Sequence, residues 1–293
     1  MRQSKGEKVF GIFNFLILTG LALLTLYPFL YVVFASFSEA GLFIRHQGLL
    51  LRPAGWDLQA YRIVFRNPIL FSSYLNTIIY VGSGTSISVF LTICGAYSLS
   101  RRNVSLRMPI TFFFVFTMWF SGGMIPLFLL VRNLHLLNTR WALILPSAVS
   151  TYNLIVTLTY FKTIPESLDE SARIDGASDY TIMFRIIVPL AVPVIAVIIL
   201  FYSVGIWNSW FHAMIFLNRR HLFPVQLILR EILILNDTAG VMGGGVVVQG
   251  EQIMVGETVK YATAVVATIP ILLVYPFVQR YFVQGIMIGA IKG

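Results

Sequence analysis

The chain has 293 residues, 57% of them hydrophobic and 11% charged, with a mean hydropathy of +0.82. A soluble globule of this size needs more polar surface than that to cover itself, so the composition excludes one and places the chain in a bilayer. The net charge of +9 fits an acidic substrate, an anionic lipid surface or an acidic partner without selecting among them, and no nucleic-acid partner is expected.

A helix needs about 20 mostly apolar residues to cross the hydrocarbon core. Five runs free of Asp, Glu, Lys and Arg meet that length, at about Val9–Ser38, Asn67–Ser100, Met108–Val131, Trp141–Phe161 and Leu190–Asn218, and a sixth, Tyr261–Val283, carries only Arg280. They predict an all-α polytopic membrane protein forming one transmembrane domain over 1–293. Its core is about 67–283, with an N-terminal span at 9–38, an inner loop at 162–189 and an outer loop at 219–260. Tyr27, Trp56, Trp119, Trp141, Trp207 and Trp210 lie near the expected ends, as an interfacial belt requires.

The first run follows Arg2, Lys5 and Lys8 and is about twice the 7–15 apolar residues of a secretory signal, so it reads as a retained span. Basic residues crowd that leader and the short loop of Arg101, Arg102 and Arg107. The positive-inside rule therefore puts both termini and the 162–189 loop in the cytoplasm.

The lone Cys94 lies inside the second run and reads as a small core residue. His46, His135, His212 and His221 have no ligand spacing and no carboxylate or thiol beside them, so no metal site is expected.

The 162–189 loop is the most polar stretch between two spans. Pro165 suits the first turn of a helix and Gly176 the position just past its end, which predicts a helix over Glu166–Asp175. Asp169 and Arg173 stand at a supportive i, i+4 spacing. Ser178 can cap a second helix to Val188, and Pro189 marks the approach to the fifth span. Leu168, Ala172 and Asp175 share one face, and the small Ala172, Gly176 and Ala177 permit close backbone approach. Glu166 and Glu170 are one turn apart and offer a carboxylate pair to an external cation. An interfacial amphipathic helix is the plainer alternative, although five acids against two basic residues from Glu166 to Arg185 run against the Lys/Arg bias of such helices.

Glu170, Ser171, Ala172, then Asp175, Gly176, Ala177, then Ile186, Val188 and Pro189 resemble the E-A-A-x-x-D-G-A-x8-I-x-L-P signature of ATP-binding-cassette importer permeases. Ser171 stands for the usual Ala and Val188 for the usual Leu, both mild changes in size. "KTIPESLDE" from Lys162, the six-run layout and the ending "FVQGIMIGAIKG" are similar to the carbohydrate-uptake branch, in particular the smaller partner of the maltose permease. "SGGMIPLFLL" from Ser121 and the stretch around "VMGGG" resemble permeases for fragments of acidic polysaccharides such as alginate or pectin.

The resemblance implies an importer permease of type I fold in a bacterial cytoplasmic membrane, moving oligosaccharides by alternating access. It implies a heterodimer with a homologous second permease, two cytoplasmic ATPase subunits that bind ATP and Mg, and an extracytoplasmic solute-binding protein. This chain itself would carry no cofactor and no catalytic residue. The loop, Glu166 and Ser171 included, would seat in the ATPase, with Glu170 as the contact anion, Ala172 and Ala177 packing closely, Gly176 turning the chain and Asp175 capping or contacting. The C-terminal Gly289, Lys292 and Gly293 would reach between the ATPases, the alternative being a frayed terminus. Gly240, Gly243, Gly244, Gly245 and Gly250 in the outer loop would contact the binding protein or serve as a flexible connector; they lack the Gly-Lys-Ser/Thr tail of a phosphate-binding loop.

Asn76, Tyr80, Tyr152, Asn153, Trp207 and Asn208 are the candidate substrate path, since amides bond sugar hydroxyls and aromatic faces pack on sugar C–H edges. Such residues also serve as bonds between helices or as interfacial belt. A neutral-oligosaccharide permease is the nearest alternative. A stand-alone secondary transporter would need intramembrane acids, and the six runs contain none.

Overall fold

The apolar runs fold as helices whose breaks fall at glycine, proline and hydroxyl residues. The computed structural model describes residues 5–66, 68–241 and 256–273, and every regular element among them is helical. Two compact units result, one drawn from Met1–Pro68 and Leu229–Ile269, the other from Ile69–Ile228 and Pro270–Gly293.

In the first unit, helix Lys5–Ser36 carries the N-terminal span. No residue of its apolar window is buried within the chain, as expected of a helix whose neighbours are lipid or other subunits. Its end is tied down by Ser38, whose Oγ donates to Phe34 O (2.7 Å) and accepts from Ala54 N–H (2.9 Å). Tyr27 OH accepts from Leu50 N–H at 3.0 Å. Tyr31 and Phe43 pack edge-on against Tyr261 of helix Gly256–Leu273.

The second unit is built on helix Pro68–Ser100. Its buried stripe includes a small and polar series, Ser73, Thr77, Gly84, Ser88, Thr92 and Ala96, at four- and seven-residue spacing. Small residues let helices approach closely, and hydroxyls bond across the gap. A Cβ on Gly84 would stand 2.8 Å from Ile206 Cδ1. Thr92 Oγ1 and Tyr202 OH are 2.7 Å apart, and Tyr202 OH also accepts from Ser150 N–H (3.0 Å).

Three helices, Phe10–Ser36, Pro68–Ser100 and Gly256–Leu273, are long and apolar enough to cross a membrane. Two further runs are bent. Arg107–Trp119 turns by 117° into Met124–Asn133, at a break where Gly123 takes φ +84°, a conformation glycine adopts without Cβ strain. Asp179–Leu190 turns by 85° into Val192–Trp207; Pro193 in the new first turn has no N–H to continue the preceding helix.

The expectation of one helix over Trp141–Phe161 is corrected. Trp141–Ile144 ends just before Pro146, and Thr151–Phe161 begins afresh with Ser150 as its cap, accepting from Asn153 N–H. That second helix is only about 16 Å long.

Candidate functional sites: the Glu166–Ile187 loop and the bundle cavity

The loop folds as two helices joined by a tight turn. Glu166–Ile174 is α-helical, with Pro165 preceding its first turn. At its end Gly176 takes φ +80°, Ala177 N–H donates to Ala172 O (2.9 Å) and Gly176 N–H donates to Arg173 O (3.0 Å). That pair of bonds is the Schellman closure, with the glycine in the left-handed position it favours. Ser178 then caps the second helix by accepting from Thr181 N–H, and Met183–Ile187 widens into a π-helical turn.

Small residues let this loop join the bundle. Ala172 is 8% exposed and belongs to one core cluster with Ala96, Leu99, Leu158, Phe161, Ile182, Met183 and Ile187, with Ala177 packed against it. Ser171 keeps to the outside, its Oγ donating to Ser167 O (2.8 Å).

Charge reinforces the joint. Asp169, with 14% of its side chain exposed, faces Arg101 (13%) at 3.2 Å and accepts from Arg173 Nε at 3.1 Å. The Arg101 contact lacks hydrogen-bond alignment, and the guanidinium lies 4.4 Å over the Tyr97 ring, so its stabilisation is electrostatic. Arg173 also pairs with Asp179. These two carboxylates raise the Arg173 pKa, the Asp169 hydrogen bond first. The exposed Arg102 Nε reaches Glu166 Oε1 at 2.8 Å. Glu166, expected with Glu170 to face an external cation, is thus in an exposed pair with Arg102 in this chain. The long helix ends at Ser100 and delivers Arg102 to the first turn of the loop helix. Glu170 and Asp175 are exposed and make no ion pair among the described residues.

Two further residues mark the outer face of the loop: Ile174 is 86% exposed and Tyr180 75% exposed. They escape a motif reading because they are ordinary apolar residues in the sequence, and only the fold turns them outward. A cavity of ≈ 680 Å³ lies between the loop and the basic end of the long helix, lined by Arg101, Arg102, Arg107, Lys162 and Glu170 among others.

A second cavity of ≈ 590 Å³ opens within the bundle, inside the size range of ligand sites. Tyr80, Tyr152 and Asn153 line it together with Ser147, Ser150, Phe201, Tyr202, Ser209 and His212. The serines and His212 go unmarked as cavity residues in the sequence because they gather from separate breaks between helices and from helix Phe211–Phe216. Tyr152 is 55% exposed and packs on Phe201 at 6.1 Å, so the wall combines hydroxyls with aromatic faces.

Asn76, Trp207 and Asn208 are not on that wall. Asn76 is buried; its Nδ2 donates to His221 O (2.6 Å) and Phe223 O (3.3 Å), and its Oδ1 accepts from Arg140 Nη2 (3.2 Å). Trp207 is buried against Tyr74, and Asn208 ends its helix. Tyr80 does double service, since its OH also donates to Leu222 O at 2.7 Å. With Val225 N–H donating to Thr77 Oγ1 at 2.9 Å, one face of the long helix grips the chain from His221 to Val225. Gly240 lies in the last turn of helix Val225–Val241. Gly243, Gly244, Gly245, Gly250, Gly289, Lys292 and Gly293 lie outside the described residues.

Comparison with known proteins agrees with this architecture. A polygalacturonan/rhamnogalacturonan transport system permease protein of Bacillus subtilis is 43% identical over 289 residues, covering 96% of this chain and 97% of its own. Protein LplC of the same organism is 41% identical over 294 residues, covering 100% of this chain and 98% of its own. The crystal structure of a bacterial ABC transporter involved in the import of the acidic polysaccharide alginate superimposes with a TM-score of 0.86 at 35% identity, covering 96% of this chain and 99% of that one. Residues 71–288 match the binding-protein-dependent transport system inner membrane components, and the chain belongs to that family, the permeases of ATP-binding-cassette importers.

Proposed function

We propose that the chain is one half of a heterodimeric importer permease that passes acidic oligosaccharides, of uronate type, from a solute-binding protein to the cytoplasm by alternating access. Two cytoplasmic ATPase subunits, binding ATP and Mg, dock on the Glu166–Ile187 loop, and the termini share that side of the membrane. The observation that carries this reading is the two-sidedness of the loop. Ala172, Ile182 and Met183 are built into the bundle core, while Ile174 and Tyr180 stand almost bare beside Glu170 and Asp175, which have no ion pair among the described residues. A surface with exposed apolar anchors ringed by polar groups has the composition of a docking patch. Because its other side is continuous with the core, a displacement imposed there moves the helices as a body.

In this reading Glu170 meets a basic ATPase residue, Ser171 and Asp175 lie at the contact, and Glu166 shapes the joint through Arg102. Gly289, Lys292 and Gly293 reach between the ATPases, and the glycines from Gly240 to Gly250 meet the binding protein. The acidic class of substrate is supported by the likeness to permeases of polygalacturonan and alginate transport, and the hydroxyl and aromatic wall of the bundle cavity suits an oligosaccharide. A neutral oligosaccharide would suit the same hydroxyls, and uptake separates the two. The complete complex in proteoliposomes should accumulate labelled oligogalacturonide in an ATP-dependent way, and uptake confined to neutral oligosaccharides would overturn the acidic assignment.

A further inference from the structure

The acids of this chain are segregated. From Asn67 to Arg230 the carboxylates are Glu166, Asp169, Glu170, Asp175 and Asp179, all in the loop. At the helix rise of about 1.5 Å per residue, Asn76 lies roughly 36 Å along the long helix from Ser100, where that loop attaches. The Asn76 end of the second unit therefore holds cations without any carboxylate of its own segment.

One of those cations lies beside Tyr80 of the cavity wall. Arg140 caps the short helix Trp141–Ile144, is exposed, and has no ion pair among the described residues. Leu143 of that helix and Ser147 just beyond its end both line the cavity. Arg140 Nη2 donates to Asn76 Oδ1 at 3.2 Å, and its charge acts on the phenol of Tyr80, one turn further on and also on the wall. Asn76 needs only a donor for its Oδ1, which a neutral amide would supply; the positive charge is not required by the fold. A guanidinium carries five N–H donors in a planar fork, and Asn76 and Tyr80 engage at most two.

From this geometry we infer that Arg140 reads the carboxylate groups of the oligosaccharide at the mouth of the bundle cavity, so that it is a specificity-determining residue of this permease. The inference rests on the acidic-oligosaccharide reading above. A bidentate guanidinium–carboxylate contact holds a uronate in one orientation and leaves its hydroxyls and ring faces to the serines and Tyr152.

The test uses the complete complex in proteoliposomes, with its own binding protein, supplied with oligogalacturonide and with the same oligosaccharide after carboxyl reduction. The measured quantity is the ratio of the two uptake rates at limiting concentration. Arg140→Gln keeps a donor for Asn76 and removes the charge; Arg140→Lys keeps the charge and loses the fork. The binding protein is common to all samples, so a change in the ratio belongs to the permease. Arg140→Gln should lower the ratio about 10-fold or more, the effect of losing a hydrogen bond to a charged group, with Arg140→Lys intermediate. If Arg140→Gln slows both substrates equally, or neither, Arg140 serves only the Asn76 contact and the inference is overturned. If the parent itself moves the reduced oligosaccharide as fast as the acidic one, the acidic-substrate reading fails and the inference falls with it.

Discussion

Gly176 isolates a backbone effect at the centre of the loop. It holds φ +80° with nothing within 4 Å of where a Cβ would stand, so a substitution meets no clash and its whole cost is conformational. An L-residue in the left-handed region costs about 1–2 kcal/mol, and asparagine tolerates it best. Gly176→Ala should therefore destabilise the turn by about 1 kcal/mol and a β-branched Gly176→Val by about 2 kcal/mol, with Gly176→Asn close to the parent. At about 1.36 kcal/mol per factor of ten, these correspond to roughly 5-fold and 30-fold shifts in the equilibrium between closed and open turn. Hydrogen exchange at the Gly176 and Ala177 amides reads that equilibrium, because both N–H groups are held only by the closure on Arg173 O and Ala172 O. The order Gly, Asn, Ala, Val in falling protection is expected. Equal protection in all four proteins would refute the assignment of this glycine to backbone geometry and point to the absent side chain as space for a partner.

The ion pairs that Arg101 and Arg102 make with the loop should separate by burial. Asp169→Asn strands Arg101, whose side chain is 13% exposed, and should cost about 2 kcal/mol, short of the full buried-pair value. Glu166→Gln, in a pair exposed to 77% and 51%, should cost under about 1 kcal/mol; thermal unfolding in detergent compares them. Thr77→Val leaves the buried Val225 N–H without an acceptor, and should cost about 1–3 kcal/mol in the same assay. Ile174→Asp changes a residue that is 86% exposed and should leave the stability of the isolated chain within about 0.5 kcal/mol. The same variant should weaken co-purification of the ATPase subunits about 30-fold, the effect of losing a 2 kcal/mol anchor.

The sequence makes the loop legible because its signals are local. Pro165, Gly176 and Ser178 each act within a turn of their own position, and the small Ala172 and Ala177 mark where the helix enters the core. Asp169 has a local partner in Arg173, but Arg101 and Arg102 follow the far end of another helix, which is why Glu166 reads as free and is found paired. Apolar runs declare composition and not direction, so the turns at Gly123 and Ala191 and the restart at Ser150 stay hidden inside continuous stretches. Asn76 shows the same limit for the cavity. Its position on a polar face beside Tyr80 is readable from spacing. That its amide is consumed by carbonyls 145 and 147 residues away, leaving the wall to Tyr80, depends on a chain reversal no short-range pattern encodes.

The Glu166–Ile187 loop is proposed to transmit ATPase movement to the bundle. That role is tested most directly by substrate-stimulated ATP hydrolysis of the complete complex in proteoliposomes, with Glu170→Ala beside the parent. Oligogalacturonide with its binding protein should raise hydrolysis in the parent, and Glu170→Ala, which removes an exposed carboxylate with no partner among the described residues, should lose that rise. A full rise in the assembled Glu170→Ala complex would contradict the coupling role of this residue.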